Sequence, residues 1–151
     1  MVGVVLAQYG IWQGLVRFPL GIASDWIGRR KPFIIGGFVL AGAGALIMGR
    51  AGGISGLLIG RAVTGLAASA WVPIVVIFSS LFPPEQSVRA SSILMVAGSL
   101  GRALATAANG SLNNIGGYSL AFNLAAVAAA VAILVAPVSY THLTLPTTPY
   151  V

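Results

Sequence analysis

Residues 21–31 read Gly21-Ile-Ala-Ser-Asp25-Trp-Ile-Gly28-Arg29-Arg30-Lys31. One acid and three consecutive cations stand between two long apolar runs. The run before them, at about 2–24, holds Arg17 as its only charge, and the run after them, at about 32–49, holds none. Apolar runs of about 18 residues or more with few charges are long enough to cross a bilayer. The stretch is therefore a polar turn joining two spans. Gly28 permits the positive φ that a tight turn demands. Gly21 permits close approach of a neighbouring helix, and Asp25 sits at the membrane edge beside the cations.

Outward from this turn, three more apolar segments follow at about 54–82, 90–112 and 118–137. The links at 25–31, 50–53, 83–89 and 113–117 are short, so successive spans run antiparallel. Composition agrees: 58% of the 151 residues are hydrophobic and 7% charged, against about 25% charged in a soluble domain. In hydrocarbon every backbone polar group is paired within the protein, which leaves helices or closed barrels. The runs lack the alternation of barrel strands. The expected fold is an all-α membrane protein with about five transmembrane helices. Pro73 is expected to kink the long third segment.

Small residues recur every four positions, as close helix contacts in lipid require. Gly37, Ala41, Ala45 and Gly49 form one stripe. Gly56, Gly60, Thr64 and Ala68 form another, with Arg61, Gly65, Ser69 and Pro73 beside it; Gly98, Arg102, Thr106 and Gly110 form the last. Basic residues favour cytoplasmic loops. Arg29, Arg30 and Lys31 in the first link and Arg89 in the third place those links in the cytoplasm, with Arg50 as a mild exception. The expected location is the cell membrane, multi-pass.

The net charge of +6 reflects loop arginines and a shortage of acids rather than a nucleic-acid surface, because no basic stripe lies outside the spans. There is no cysteine, so thiolate metal sites and disulfides are excluded. His142 is the only histidine, and Asp25 and Glu85 the only acids. With His142 discounted, since it lies in a doubtful tail, no Ser-His-Asp set and no metal site can be assembled. The chain is not expected to be an enzyme or to carry a cofactor.

After Pro137 the character changes. Residues 138–151, Val-Ser-Tyr-Thr-His-Leu-Thr-Leu-Pro-Thr-Thr-Pro-Tyr-Val, carry no Lys, Arg, Asp or Glu. Val-Ser-Tyr-Thr-His-Leu resembles the translation of a transposase adapter. The expected organisation is a transmembrane unit over 1–137 and a non-native tail over 138–151. Met1 opens inside an apolar run with no basic leader, as in a chain that begins part-way through a gene.

The first link resembles the signature between the second and third helices of the major facilitator superfamily, roughly G-x-x-x-D-R-x-G-R-R. Gly21, Asp25, Gly28, Arg29 and Arg30 match it; Trp26 stands where the family usually has arginine. Leu57-Leu-Ile-Gly60-Arg61-Ala-Val-Thr64-Gly65 resembles the family's fourth helix, with Thr64 in place of a frequent glutamine. Phe82-Pro-Pro-Glu85-Gln-Ser-Val-Arg89 resembles the loop that follows. Gly101 is followed by Arg102, so the Gly-Pro pair of some antiporters is absent. The resemblance implies helices two to six of an N-terminal six-helix bundle. The first helix and a C-terminal six-helix bundle would be partners outside this chain, together with the lipid bilayer and a small-molecule solute. It also implies that the acid of the signature pairs with the motif arginines and faces a helix N-terminus of the other half, stabilising the outward-open state through the helix dipole.

Arg17, Arg61 and Arg102 fall inside spans. Such residues cost about 2.5–3.5 kcal/mol on insertion scales and face a cavity or a partner. At about 1.5 Å per residue, Arg61 lies about 10 Å and Arg102 about 18 Å from their helix ends, which brings them to a similar level. They are the candidate coupling or substrate cavity, and the resemblance implies a part for Arg61 in proton coupling. Arg17 is expected to snorkel in a structural role. Gln8, Gln13, Asn109 and Asn123 are polar groups able to line a cavity, beside the aromatic Tyr9, Trp12 and Trp71. The implied function is secondary active transport of a small solute by alternating access. The alternatives are a small non-transporting membrane protein or a half-size transporter that dimerises.

Overall fold

A computed structural model describes residues 2–28 and 30–141, with side chains for 3–28 and 30–136. Among the described residues there is no strand. Helix α1 spans Val2–Ile27, α2 Lys31–Gly49, α3 Ile54–Ala68, α4 Trp71–Ser79 and α5 Ser87–Thr141, with a 3-10 turn at Pro84–Gln86 before α5. Among the described residues, three helical stretches are long and apolar enough to cross a membrane: Lys31–Gly49, Ile54–Ser79 and Pro84–Ala136. Helix α1 has 26 residues but falls outside this set; Gln8, Gln13 and Arg17 lower its hydropathy.

The last stretch has 53 residues, about 80 Å at a helical rise and more than twice a hydrocarbon core of about 30 Å. It cannot cross once as a straight rod. The chain breaks it at Gly116 (φ −138°) and Gly117 (φ 67°, ψ −173°), where Gly117 takes a conformation essentially closed to other residues. The two arms, 87–115 and 118–141, correspond to the expected fourth and fifth spans, so the molecule has the expected helical segments. The expected link at 113–117 is shorter than predicted, because Asn113, Asn114 and Ile115 remain helical.

Two other links also contract. Asp25 lies in the last turn of α1 rather than in the link, which reduces to 28–30. Arg89 lies in the first turn of α5 rather than in the loop. Helices extend to the polar residues at their ends because backbone pairing near the bilayer is worth more than local side-chain preference. The link at 50–53 is as expected: the Arg50 N–H donates to Leu46 O at 3.1 Å, and Gly53 is extended before α3.

The break between α3 and α4 follows from Pro73. Proline has no N–H and its ring clashes with the carbonyl four residues earlier, here Ser69. The Ser69 carbonyl instead accepts from the Val72 N–H at 3.2 Å. Pro73 is among the largest fully buried side chains, and Ser69 is 0% exposed.

Helix α3 is central, with α1 on one side and α2 on the other; α2 in turn packs on α5. The small-residue stripes divide between these seams. A Cβ on Gly44 of α2 would stand 3.0 Å from Gly60 O of α3, and the reverse distance is the same. Gly65 and Ser69 face α1, where the Ser69 hydroxyl donates to Gln13 O at 3.4 Å. Gly49 and Gly42 face the second arm of α5 through Phe122 and Ala129. The last stripe behaves differently. Gly98 abuts Trp71, but Arg102, Thr106 and Gly110 are exposed and nothing lies within 4 Å of a Cβ on Gly110. Apart from Gly98 it borders open space instead of closing a seam.

Candidate functional site

The turn at 25–30 is built by its glycine. Gly28 has φ 64°, and its N–H donates to Asp25 O at 3.2 Å, closing the end of α1. This sharp reversal brings Arg30 back over Asp25, and Arg30 Nη2 donates to Asp25 Oδ1 at 2.7 Å. The pair is exposed, with side chains 35% and 64% accessible for Arg30 and Asp25. An ion pair this open contributes about 0–1 kcal/mol to stability. Its value lies in positioning: it fixes the only acid near the turn beside a guanidinium. Arg30 Nε is buried with no hydrogen-bond partner among the described residues.

Beneath the turn, Ser24 is 2% exposed and donates to Gly21 O at 2.9 Å. Gly21 faces α4, but a Cβ there would meet Val72 Cγ1 at 3.7 Å, an ordinary contact. The expected close helix approach at Gly21 is therefore not demanded by α4. Trp26, at the departure from the signature, is 91% exposed. Arg29 lies outside the described residues, as do residues 142–151 with His142.

The intramembrane arginines line two different clefts. Arg61 borders a cleft of about 650 Å³ with Thr106 and Asn109 of the first arm of α5 and Tyr118 and Phe122 beyond the Gly116–Gly117 break. Its guanidinium carbon lies 6.0 Å from the centroid of the Tyr9 ring, at the outer limit of a cation–π contact. Arg102 borders a second cleft, of about 520 Å³, with Tyr9, Gln13 and Arg17 of α1, Trp71 of α4 and Ser99 of its own helix. Depth along each helix suggested Arg61 and Arg102 as one cavity pair, whereas Arg17 is the arginine that shares a cleft with Arg102. Position along a helix gives depth, but azimuth around the bundle decides which cleft a side chain enters.

Among the polar candidates, Asn109 and Gln13 line these clefts. Gln8 instead accepts from Trp12 Nε1 at 2.8 Å, and Asn123 lies near Gly49. Thr64 turns inward, its hydroxyl donating to Gly60 O at 3.0 Å, and its methyl fills the space beside Gly44. A helix-packing threonine thus stands where a glutamine is frequent in the resembling family. No group of acids and histidines able to hold a metal occurs among the described residues.

The sequence pattern of the Major Facilitator Superfamily matches residues 1–149. The chain belongs to the major facilitator superfamily. The inner membrane transport protein YajR of Escherichia coli (strain K12) is 30% identical over 146 residues, covering 94% of this chain and 32% of YajR. An uncharacterized transporter of Buchnera aphidicola subsp. Schizaphis graminum (strain Sg) is 34% identical over 96 residues, 64% of this chain and 24% of that protein. No solved structure gives a significant match. The chain thus spans about a third or less of the relatives it matches. Superfamily membership and the long apolar helices make this a multi-pass membrane chain of a transporter family, with the bundle described above as part of the superfamily's helical fold.

Proposed function

We propose that the chain supplies helices two to six of the N-terminal half of a secondary active transporter, which carries a small solute by alternating access. In such a mechanism two helical bundles rock about a site between them near the membrane midplane. The observation that carries this reading is the Asp25–Arg30 pair at 2.7 Å across the Gly28 turn. It holds an acid, with a compensating cation, at the mouth of the bundle. A carboxylate there attracts the N-terminus of a helix presented by the opposite half, and rocking that half away breaks the contact.

The transporter sits in the cell membrane with the 25–31 link on the cytoplasmic side; the YajR relative is named an inner membrane transport protein. Arg61, on its own cleft, is the residue for coupling, with the proton as the candidate ion. No step calls for enzymatic chemistry or a cofactor. Residues 138–151 are read-through from an adapter, and a genomic clone encoding different residues after 137 is the expected finding; a clone that reproduces them would make the tail native.

The test uses the full-length transporter recovered with its genomic sequence and reconstituted in liposomes. Asp25→Asn is expected to cut solute flux at least about tenfold, as loss of about 1.4 kcal/mol of state-specific stabilisation does, with little change in thermal midpoint. Residues 1–137 alone should give no flux. Wild-type flux in Asp25→Asn, or flux from the isolated bundle, would defeat the reading.

A further inference from the structure

Among the described residues, the cleft between α1, α4 and α5 carries two positive charges and no negative one. Arg17 from α1 and Arg102 from α5 both line it, and both side chains are exposed on its walls. Arg17 lies ten residues before the end of α1, about 15 Å along the helix axis. Arg102 lies fifteen residues into α5, about 22 Å along its axis. Neither is at a helix end, where a long side chain reaches the headgroups easily.

The chain offers these guanidiniums no acid. It has two, Asp25 and Glu85. Asp25 is engaged by Arg30 at 2.7 Å, and Glu85 sits in the 3-10 turn outside the spans. The Arg102 guanidinium donates to the neutral Ser99 hydroxyl at 3.2 Å. Two cations lining one cleft repel each other, and an anion placed between them relieves that repulsion. Guanidinium presents paired N–H donors that match carboxylate and phosphate oxygens. Gln13 and Ser99 add neutral polar groups, while Tyr9 and Trp71 give the same cleft aromatic walls.

We propose that Arg17 and Arg102 form an oxyanion-binding site and that the solute is an organic anion, its carboxylate or phosphate held between the two guanidiniums and its apolar body against Trp71 and Tyr9. This rests on the transport reading and narrows it to a substrate class. The other source of the same chemistry is the phosphate of an anionic lipid.

The test measures the thermal midpoint of the full-length transporter in neutral detergent with added benzoate, phenyl phosphate or the uncharged benzamide. Both anions should raise the midpoint and benzamide should not. Arg17→Gln and Arg102→Gln should each raise the half-saturating anion concentration at least about tenfold, the scale of a lost charged hydrogen bond. The corresponding Arg→Lys variants keep the charge and should retain part of the response, which separates binding from misfolding. Arg50→Gln, in the opposite link, should respond as wild type. An unaltered anion response in both Gln variants, or an equal response to benzamide, overturns the site. A midpoint raised by phosphatidylglycerol, with no competition from the soluble anions, assigns the pair to a lipid headgroup and overturns the solute class. The transport reading is scored separately by flux in Asp25→Asn, so a transporter that passes that test yet ignores both anions sinks this inference alone.

Discussion

Gly65 of α3 lies directly against the backbone of Tyr9 in α1: a Cβ on Gly65 would stand 2.6 Å from the Tyr9 carbonyl oxygen and 3.1 Å from its Cα. Backbone cannot move aside as a flexible side chain can, so this contact sets the distance between the two helices. It also places Tyr9 where its ring faces Arg61 and borders the cleft of Arg17 and Arg102. One small residue thereby connects the packing of the bundle to the geometry of both clefts.

Substituting Gly65 should consequently be costly. Gly65→Val is expected to destabilise the chain by about 1–3 kcal/mol through overpacking, read as a lower thermal midpoint in detergent. Gly21→Ala is the contrast. Its new methyl meets Val72 at an ordinary 3.7 Å, and alanine is favoured over glycine inside a helix by about 0.5–1 kcal/mol. Gly21→Ala should hold or raise the midpoint. A Gly65→Val protein as stable as wild type would show that α1 and α3 are not held at this distance.

Two glycines are required by backbone conformation. Gly117 has φ 67° and ψ −173°, a region essentially restricted to glycine and costing other residues about 1–3 kcal/mol. Gly28, at φ 64°, closes a turn where a left-handed non-glycine residue costs about 1–2 kcal/mol. Both Gly→Ala variants should lower the thermal midpoint, with Gly117→Ala at least as damaging. If Gly117→Ala is silent, the break in α5 does not depend on this conformation.

The bend between α3 and α4 should depend on Pro73. In Pro73→Ala, residue 73 gains an N–H able to donate to Ser69 O, which the Val72 N–H now occupies at 3.2 Å. Spin labels on Leu57 and Ser79 should move apart by a few ångström as the helix straightens. An unchanged distance would assign the bend to the contacts of Ser69 with Gln13 and of Ala70 with Gly37 instead of to proline.

Sidedness is open to direct labelling because the chain has no cysteine. Trp26→Cys, at a position 91% exposed, should react with a membrane-impermeant maleimide only after the membrane is opened. Gly52→Cys, in the link between α2 and α3, should react in intact cells. The reverse pattern would invert the assigned orientation and remove the basis for a cytoplasmic gate.

Much of the fold was legible along the chain. Apolar runs, their lengths and the polar turns between them marked out the helical segments, because in hydrocarbon backbone pairing leaves few alternatives. Element ends were less legible. Charge patterning places Asp25 and Arg89 in the links, yet both fall within helices, since a charged side chain near a helix end remains solvated without ending the helix. The Gly28 turn was also readable: a glycine between an acid and a basic cluster at a span boundary has a short-range explanation. Pro73 showed that a bend was due, while the hydrogen bonds that realise it at Ser69 became visible only in three dimensions.

That this is a helical membrane chain, where its helices reverse, and which charges sit inside them follow from the order of residues, because hydrophobicity, chain length and the special backbone needs of glycine and proline are local properties. The packing of the helices is what puts Arg102 in one cleft with Arg17 while Arg61 opens on another, and leaves the stripe from Arg102 to Gly110 bordering open space. Those outcomes depend on how far each helix is rotated and how closely it approaches its neighbours. Contacts such as Gly65 against Tyr9 and Gly44 against Gly60 fix both, between residues distant along the chain.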